Sequence, residues 1–308
     1  MTLFPSTALA AEELRGPAAR ALLNFVESAC RSKTKYPGPS PCSVERRNFS
    51  TLARARYHLA AKNDGVRAAL VCLRADGVDY VAFMDRARRL YALHGSPLHV
   101  CTAWFQGTLL DGELVRGSEF LAFDAAVVAG VAVGHLPFSA RQAAMAPGIA
   151  LHLRAHESAG VGRPPVLVYM KAFSAPDLFD VSDCTAEGSD GAIAMPEDHP
   201  YVVGRHTALF KVKQKHTIDF QVAGAEGDLA VLDRGGLRVV ERLAPGVAPL
   251  PAGCIVECVR AAAGGWTPLV VRDDKTYPND FTTYRNTLKN EKEAIGYAEF
   301  VEACKRSC

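Results

Sequence analysis

The sequence predicts an α+β protein: antiparallel sheets with flanking helices, a small β-barrel domain beside them, and a cleft between the two. Three observations predict it. Residues 57 to 135 are dense in strand-length apolar runs bounded by NDG, ADG, GS and LDG turns. Beyond residue 222 shorter strands recur, linked by RGG, APG and AAAGG, at the density of a small barrel. Helix-like sequence is confined to the start, to a stretch opening at Ser139, and to the end.

Taken in order, residues 8 to 30 read as a helix with Gly16-Pro17 as a break or a restart. KYPGPSPCSVERR (35 to 47) is a proline-rich loop on an extended path, because proline and the residue before it both disfavour helix. YHLAA, VRAALVCL, YVAFMD, RLYAL, CTAWFQGTLLDGELV and EFLAFDAAVV follow as strands. Ser139 caps a helix that begins SARQAAM and is interrupted near Pro147-Gly148. VLVYMKAF is a strand, DCTAEGSDG a polar loop leading to AIAMP, and HTALFKVK and HTIDFQV are strands. DLAVLD, LRVVERL, CIVECVR and WTPLVVRD form the barrel. A long helix, capped by Asp280 or Thr282, runs to the end. The domains expected are 1–222 completed by the helix 281–308, and 223–280 for the barrel.

Composition narrows the function classes. About half of the 308 residues are apolar and 22% are charged, as in ordinary globular proteins. The net charge of +2 is too balanced for wholesale coating of a polyanion, so any such contact comes from local clusters. Nine scattered cysteines suit free thiols in a reducing compartment better than a disulfide scaffold. Zinc would require Cys254/Cys258 and Cys304/Cys308 to converge, and their Cys-x-x-x-Cys spacing is not the usual one. His152 and His156, one helical turn apart, lack an evident third ligand and read as packing or surface. The opening MTLFPSTALAAEELRGPAAR has no basic start, and FLAFDAAVVAGVAVGHL is interrupted by Asp124, Gly130 and Gly134. The expectation is a protein that is neither secreted nor membrane-spanning.

One short stretch raises the question of chemistry. In AAKNDGVRAAL, Lys62 stands at the end of an apolar strand, before an Asn63-Asp64-Gly65 turn. Alone, it reads as a turn lysine reaching for water. Five other stretches bear on it: FQGTLLDGELV with Asp111 and Glu113, VYMKAF with Lys171 and Phe173, SDGAIAMP with Asp190, LFKVKQKHTIDF with Lys211 and Lys213, and WTPLVVRDDKTYPN with Arg272, Asp274 and Lys275. Lys211 and Lys213 share one strand face, since alternate residues point the same way. Individually these are solvated faces, turn formers and core aromatics. Jointly, charges at 111, 113, 211 and 213 stand amid apolar residues.

The order and wording of these stretches resemble the mRNA capping guanylyltransferases, members of the covalent nucleotidyltransferases that also include ATP-dependent DNA and RNA ligases. KNDGVR resembles the family's Lys-x-Asp-Gly-x-Arg motif. TLLDGELV, SDGAIAMPEDHPYVVG, LFKVK…TIDF and RDDKTYPN match its later motifs in order, and the likeness runs from about residue 35 to about 295. YPGPSPCSVER, IVEC and DKTYPN favour the capping branch over the ligases.

The resemblance implies a reaction and a set of roles. Lys62 would attack the α-phosphorus of GTP, expel pyrophosphate and carry GMP. GMP would then pass to the 5′-diphosphate end of an RNA. A lysine nucleophile must lose a proton that a free side chain holds to a pH of about 10.4, and burial and neighbouring cations both ease that loss. Arg67 would contact the ribose, with Glu113 facing ribose or metal. Lys211 and Lys213 would wait at the α-phosphate, where charge develops. Asp190, with Glu113, would hold Mg²⁺ or Mn²⁺. Phe173 would stack on the base and Lys171 donate to guanine O6. Arg272 and Lys275 would orient pyrophosphate, with Asp274 holding their loop, once the small domain closes over the larger. Closure would block RNA, so opening follows the first step.

Two departures stand out: Val270 replaces the first of two family arginines, and Ser174 replaces a second aromatic. Arg46-Arg47, Arg86/Arg88/Arg89 and Lys215 are candidate RNA guides. The rival readings are an ATP-dependent polynucleotide ligase and an inactive nucleotide- or RNA-binding scaffold. The length implies that an RNA triphosphatase and a cap methyltransferase are separate partners. The expected location is the host nucleus or a cytoplasmic viral factory.

Overall fold

The run VRAALVCLRA becomes a strand buried on both faces, and the larger part of the chain is organised around it. The computed structural model describes residues 11–93, 100–158, 166–224, 226–273 and 275–305. It divides into two compact units. The described residues of the first fall within Met1–Ser43, Arg47–Val212 and Tyr297–Cys308; those of the second fall within Val44–Arg46 and Lys213–Gly296.

The first unit begins with β1 (Ala11–Glu13), α1 (Gly16–Cys30), β2 (Pro39–Ser43), a single turn α2 (Phe49–Leu52), β3 (Tyr57–Asn63) and β4 (Val66–Ala75). It continues with β5 (Val78–Met84), β6 (Leu90–Leu93), β7 (Thr108–Val115), β8 (Glu119–Val128), β9 (Val131–Ala132), α3 (Phe138–Ser158), β10 (Leu167–Met170), β11 (Ser189–Pro196) and β12 (Gly204–Val212). The second unit holds β13 (Thr217–Val222), β14 (Asp228–Asp233), β15 (Gly236–Arg242), β16 (Ile255–Arg260), β17 (Trp266–Val271) and α4 (Phe281–Glu293); α5 (Tyr297–Lys305) belongs to the first.

An eight-stranded sheet runs β1-β6-β5-β4-β7-β8-β10, with β9 paired to β8. It is antiparallel apart from the β8–β10 pair. Alternation along β4 explains its coverage. Ala68, Leu70 and Cys72 pack with Trp104, Phe120, Met145 and Ile149 on one face. Ala69 and Val71 pack with Leu22 and Val26 of α1 on the other. A strand buried on both sides reads as a continuous apolar run, as this one does.

A second sheet of the same unit runs β2-β12-β11-β3. Its β2 contains Pro39 and Pro41 of the 35–47 stretch. The sequence expectation of a loop is corrected here: the segment is an edge strand parallel to β12, where proline's missing N–H is tolerated. Sheets β3 and β4 belong to are different, so Asn63-Asp64-Gly65 is a crossover between two sheets and no hairpin turn.

Other expectations shift for identifiable reasons. Helix α1 takes the restart at Gly16-Pro17, with proline in its first turn, while Ala11–Glu13 pairs with β6 as a strand. Helix α3 runs unbroken through Pro147. Its amino end is held by Glu197, which accepts from Ser139 N at 3.1 Å and Ser139 Oγ at 2.6 Å; a carboxylate suits a helix start. Gly148 lies against the buried Trp104 indole, where a Cβ would fall 2.5 Å from Cε2. His152 is fully buried and its Nε2 accepts from Val168 N at 3.1 Å.

The unit boundary also differs from 222. TIDFQV is the middle strand of the second unit's sheet, ordered β15-β14-β13-β16-β17 and antiparallel throughout. Ile218, Phe220 and Val222 pack there with Trp266 and with Tyr284 and Leu288 of α4. The expected helix 281–308 is therefore two: α4, capped by Asp280 on Thr283 N at 2.8 Å, stays with the second unit. It ends at Ala294, whose φ of 46° is left-handed, and α5 follows in the first unit. The second unit also carries isolated parallel bridges from Leu232 to Asp280 and from Leu243 to Trp266. Among the described residues no helix is long and apolar enough to cross a membrane.

A buried network ties the first unit's start to its central sheet. Asp111 is wholly buried and takes Arg67 bidentately, Nε at 3.1 Å and Nη2 at 2.5 Å. Tyr36 Oη donates to its Oδ1 at 3.0 Å and Tyr201 Oη to its Oδ2 at 3.2 Å. Burial and then the nearby Asp111 charge push both phenols well above their ordinary value, so both remain donors.

Two outcomes follow from this packing. Gly148→Ala should destabilise by about 1–3 kcal/mol in denaturant unfolding, although alanine is the better helix former by about 1 kcal/mol, because the methyl meets the indole. Asp111→Ala should lower stability by about 3–5 kcal/mol in the same measurement, since Arg67 is left buried without its partner.

Candidate active site

The crossover from β3 to β4 sets the site. Lys62 and Asn63 end β3 in the four-stranded sheet, and Arg67 opens β4 in the eight-stranded one. Gly65 between them lets the sheets approach: a Cβ there would lie 2.6 Å from Leu114 O and 2.9 Å from Glu113 Cγ. Within the first unit the two sheets enclose a cavity of ≈ 220 Å³. One wall is Lys62, Asn63, Ile193, Met195, Leu209 and Lys211, with Pro39 to Pro41 beside them. Ile193 pairs with Lys211 in register. The other wall is Arg67, Glu113, Phe123 and Lys171, with Arg86 from the β5–β6 turn, while Phe173 packs against Met195 and Leu209. Arg67 and Glu113 face each other directly across β4 and β7.

The charges are paired within the walls. Lys62 Nζ donates to Asp190 Oδ1 at 2.6 Å and to Asn63 O at 3.4 Å. Lys171, which enters from the end of β10, donates to Ala61 O at 2.7 Å and to Asn63 Oδ1. Burial, and then the neighbouring Lys62, pull the Lys171 ammonium down to about 8 against the upward pull of Glu113. Burial raises the Glu113 carboxyl, and Lys62, Lys171 and Arg67 offset only part of that. Burial alone would weaken the Arg67 charge, but Asp111 and Tyr36 outweigh it and hold the guanidinium above its ordinary value. Arg67 also lies 5.0 Å from the Tyr36 ring centroid and 5.3 Å from that of Phe123. Phe173 is braced edge-on by Phe138 at 4.9 Å.

Of the residues picked from sequence, Lys62, Arg67, Glu113, Lys171, Phe173 and Lys211 line this one cavity, and Asp190 joins it through Lys62. Lys213 does not line it: β12 ends at Val212, and Lys213 belongs to the second unit. Arg272 and Lys275 also lie in the second unit, both on Asp219; Arg272 Nη1 is 3.1 Å from Oδ1, and Lys275 takes Oδ2. Asp274 lies outside the described residues. Among the described residues no group of three or more His, Cys, Asp or Glu gathers as a metal site. The expected RNA guides are partly spent: Arg46 bonds Glu293, Arg88 bonds Glu27, and Arg89 bonds Asp85.

Sequence reasoning missed Phe123, Asn63 and Asp219 as site residues, and singled out Asp111 without giving it a role. Phe123 looks like core in an apolar strand; the one available signal was its place beside the charged Asp124. Asn63 was read as turn chemistry. Asp111 and Asp219 carry no signal for their partners, which lie 44 and 53 residues away.

Residues 10–215, more than half of the chain, match the family model described as mRNA capping enzyme, catalytic domain. That span includes every residue lining the cavity. The chain is 23% identical to an mRNA-capping enzyme subunit alpha of Schizosaccharomyces pombe, over 88% of this chain and 80% of that one. It is 23% identical to one of Yarrowia lipolytica, over 89% and 83%. A solved mycobacterial DNA ligase D complexed with ATP and MES is similar at a TM-score of 0.42 and 16% identity, over 78% of this chain and 96% of that one. The chain belongs to the mRNA capping enzyme catalytic-domain family, the guanylyltransferases of the nucleotidyltransferase superfamily.

Proposed function

We propose that Lys62 carries GMP from GTP to the 5′-diphosphate end of RNA. The observation that carries this reading is that Lys62 of KNDGVR opens into a cavity whose walls also bear Arg67, Arg86, Lys171 and Lys211. Such a set suits a triphosphate. In the first step the neutral Lys62 amine attacks the α-phosphorus. The N–P bond forms as the bond to the α–β bridging oxygen breaks; pyrophosphate leaves with the electron pair, and the nitrogen sheds a proton. In the second step a terminal oxygen of the RNA diphosphate attacks the same phosphorus, the P–N bond breaks, and Lys62 takes a proton back.

The remaining roles follow from chemistry. Lys211, and Lys213 by resemblance, meet charge developing on phosphate oxygens. Arg67, fixed by Asp111, and Glu113 meet the ribose. The apolar side chains Ile193, Met195 and Leu209 with the Phe123 and Phe173 rings form a base slot, and Lys171 donates to guanine O6. Arg272, Asp274 and Lys275 keep the expected role toward pyrophosphate. Asp190 and Glu113 are hard oxygen donors that fit Mg²⁺ or Mn²⁺, because such an ion takes one or two protein carboxylates and completes its shell with phosphates and water. Bound there, the ion would neutralise phosphate charge. The sheet order of the second unit and its Leu243–Trp266 bridge support an OB-fold. A separate triphosphatase would supply the diphosphate end, and a separate methyltransferase would act on the product.

Incubation with α-labelled GTP and Mg²⁺ should give labelled protein, and Lys62→Ala none. Label from ATP in place of GTP would favour a ligase, and RNA binding without any adduct would favour a scaffold. The pH dependence is also set. Lys171 loses its proton near pH 8, so its donor charge is present below that value and lost above it. The GTP-over-ATP preference in kcat/KM should fall as pH rises from about 7 to about 9, with Glu113 opposing and Lys62 promoting the loss.

A further inference from the structure

We propose that Asn63 is a positioning residue for nucleotide choice, holding the Lys171 ammonium as a fixed donor toward a purine 6-oxygen. The inference rests on the guanylyltransferase reading above. Asn63 is the last residue of β3 and the immediate neighbour of Lys62. Lys171 arrives from the other sheet, its own backbone N–H bonded to Ala122 O at 2.8 Å. Its ammonium then spans the cavity to β3 and donates to Ala61 O at 2.7 Å and to Asn63 Oδ1. The two acceptors therefore flank Lys62 in sequence.

An ammonium has three N–H bonds and no lone pair. Two are directed at β3. The third remains for a ligand in the cavity that Lys171 and Asn63 both line. A guanine 6-oxygen accepts from it. An adenine 6-amino group offers hydrogen, so donor faces donor and the contact fails. The discrimination holds only while Lys171 stays protonated and stays in place. A neutral amine has a lone pair and could accept from the 6-amino group. An untethered four-methylene chain would also leave the base edge.

Asn63 acts on both conditions. Its carbonyl oxygen accepts from the charged form, and it anchors the head group. The charged groups around Lys171 are Glu113 from β7 and Lys62 from β3, with Arg67 from β4 and Asp190 from β11 beyond them. Of these only the carboxylates favour the ammonium, and Asp190 is occupied by Lys62. The Asn63 oxygen is thus the uncharged side-chain support of the protonated state, beside the Ala61 carbonyl. Because it sits on the strand that carries Lys62, reading the base also steadies the strand end that presents the amine.

The test is covalent labelling of the full chain with α-labelled GTP and ATP at fixed pH, giving kcat and KM for each. Asn63→Ala, and the nearly isosteric Asn63→Leu, should lower the GTP-over-ATP ratio by about tenfold, the worth of one hydrogen bond to a charged group. Asn63→Asp, which keeps an acceptor in place, should retain the ratio. A ratio unchanged in both Ala and Leu variants, or lost equally in the Asp variant, would overturn the inference. Wild-type protein that takes label from ATP alone would instead overturn the guanylyltransferase reading, and this inference with it; that outcome is visible without any variant.

Discussion

The close approach of two sheets at a single glycine governs the site. Between Lys62 and Arg67 the chain leaves the four-stranded sheet and enters the eight-stranded one, and Gly65 makes that step against the backbone of β7. Any side chain at Gly65 would press on Leu114 O and Glu113 and push the walls apart. With the walls held together, a residue of β3 and a residue of β4, five positions apart, stand on opposite sides of one cavity. Gly112 performs a matching service on the far face of β7, where Phe120 and Leu121 O leave no space for a Cβ. Both glycines keep φ in ordinary territory, so their requirement is space and not backbone freedom.

The walls bring together charges that would be costly alone. Three of these cations have oxygen partners: Arg67 on Asp111, Lys62 on Asp190, Lys171 on Asn63 and the Ala61 carbonyl. The pairings differ in burial and hence in permanence. Asp111 has no exposed surface, and two tyrosine hydroxyls occupy its remaining lone pairs, so the Arg67 pair behaves as part of the core. Lys62 and Asp190 keep 20% and 28% of their side chains exposed, so a charged ligand can compete for both. The framework pair fixes geometry; the exposed pair is the one chemistry can open. Gly38 belongs to the framework as well, since a Cβ there would lie 2.8 Å from Arg67 Nη2.

The second unit repeats this logic on a smaller scale. Asp219, from the middle strand of its sheet, holds Arg272 and Lys275 and also accepts from Asn279 Nδ2 at 3.5 Å, while its own N–H donates to Asn279 Oδ1 at 2.9 Å. One carboxylate thus holds Arg272, Lys275 and Asn279 together. Val270, where the family carries an arginine, is half exposed on β17.

How much of this was legible follows from the range of each force. Periodicity and turn chemistry are local, so the strand content, the apolar strand VRAALVCL, a helix cap at Asp280 or Thr282 and the apolar setting of Lys62 could be read from neighbours in the chain. Motif order carried the family and gathered Lys62, Arg67, Glu113, Lys171, Phe173 and Lys211, which the fold places around one cavity. What tertiary structure alone decided were the partners. Alternation cannot say which sheet a strand joins, so the NDG crossover passed for a turn and β2 for a loop. It cannot say where a strand stops, so Lys213 was grouped with Lys211. Nor can it pair Asp111 with Arg67, or Asn63 with Lys171, because a buried charge chooses its partner by distance in space, and that distance exists only after the sheets have packed.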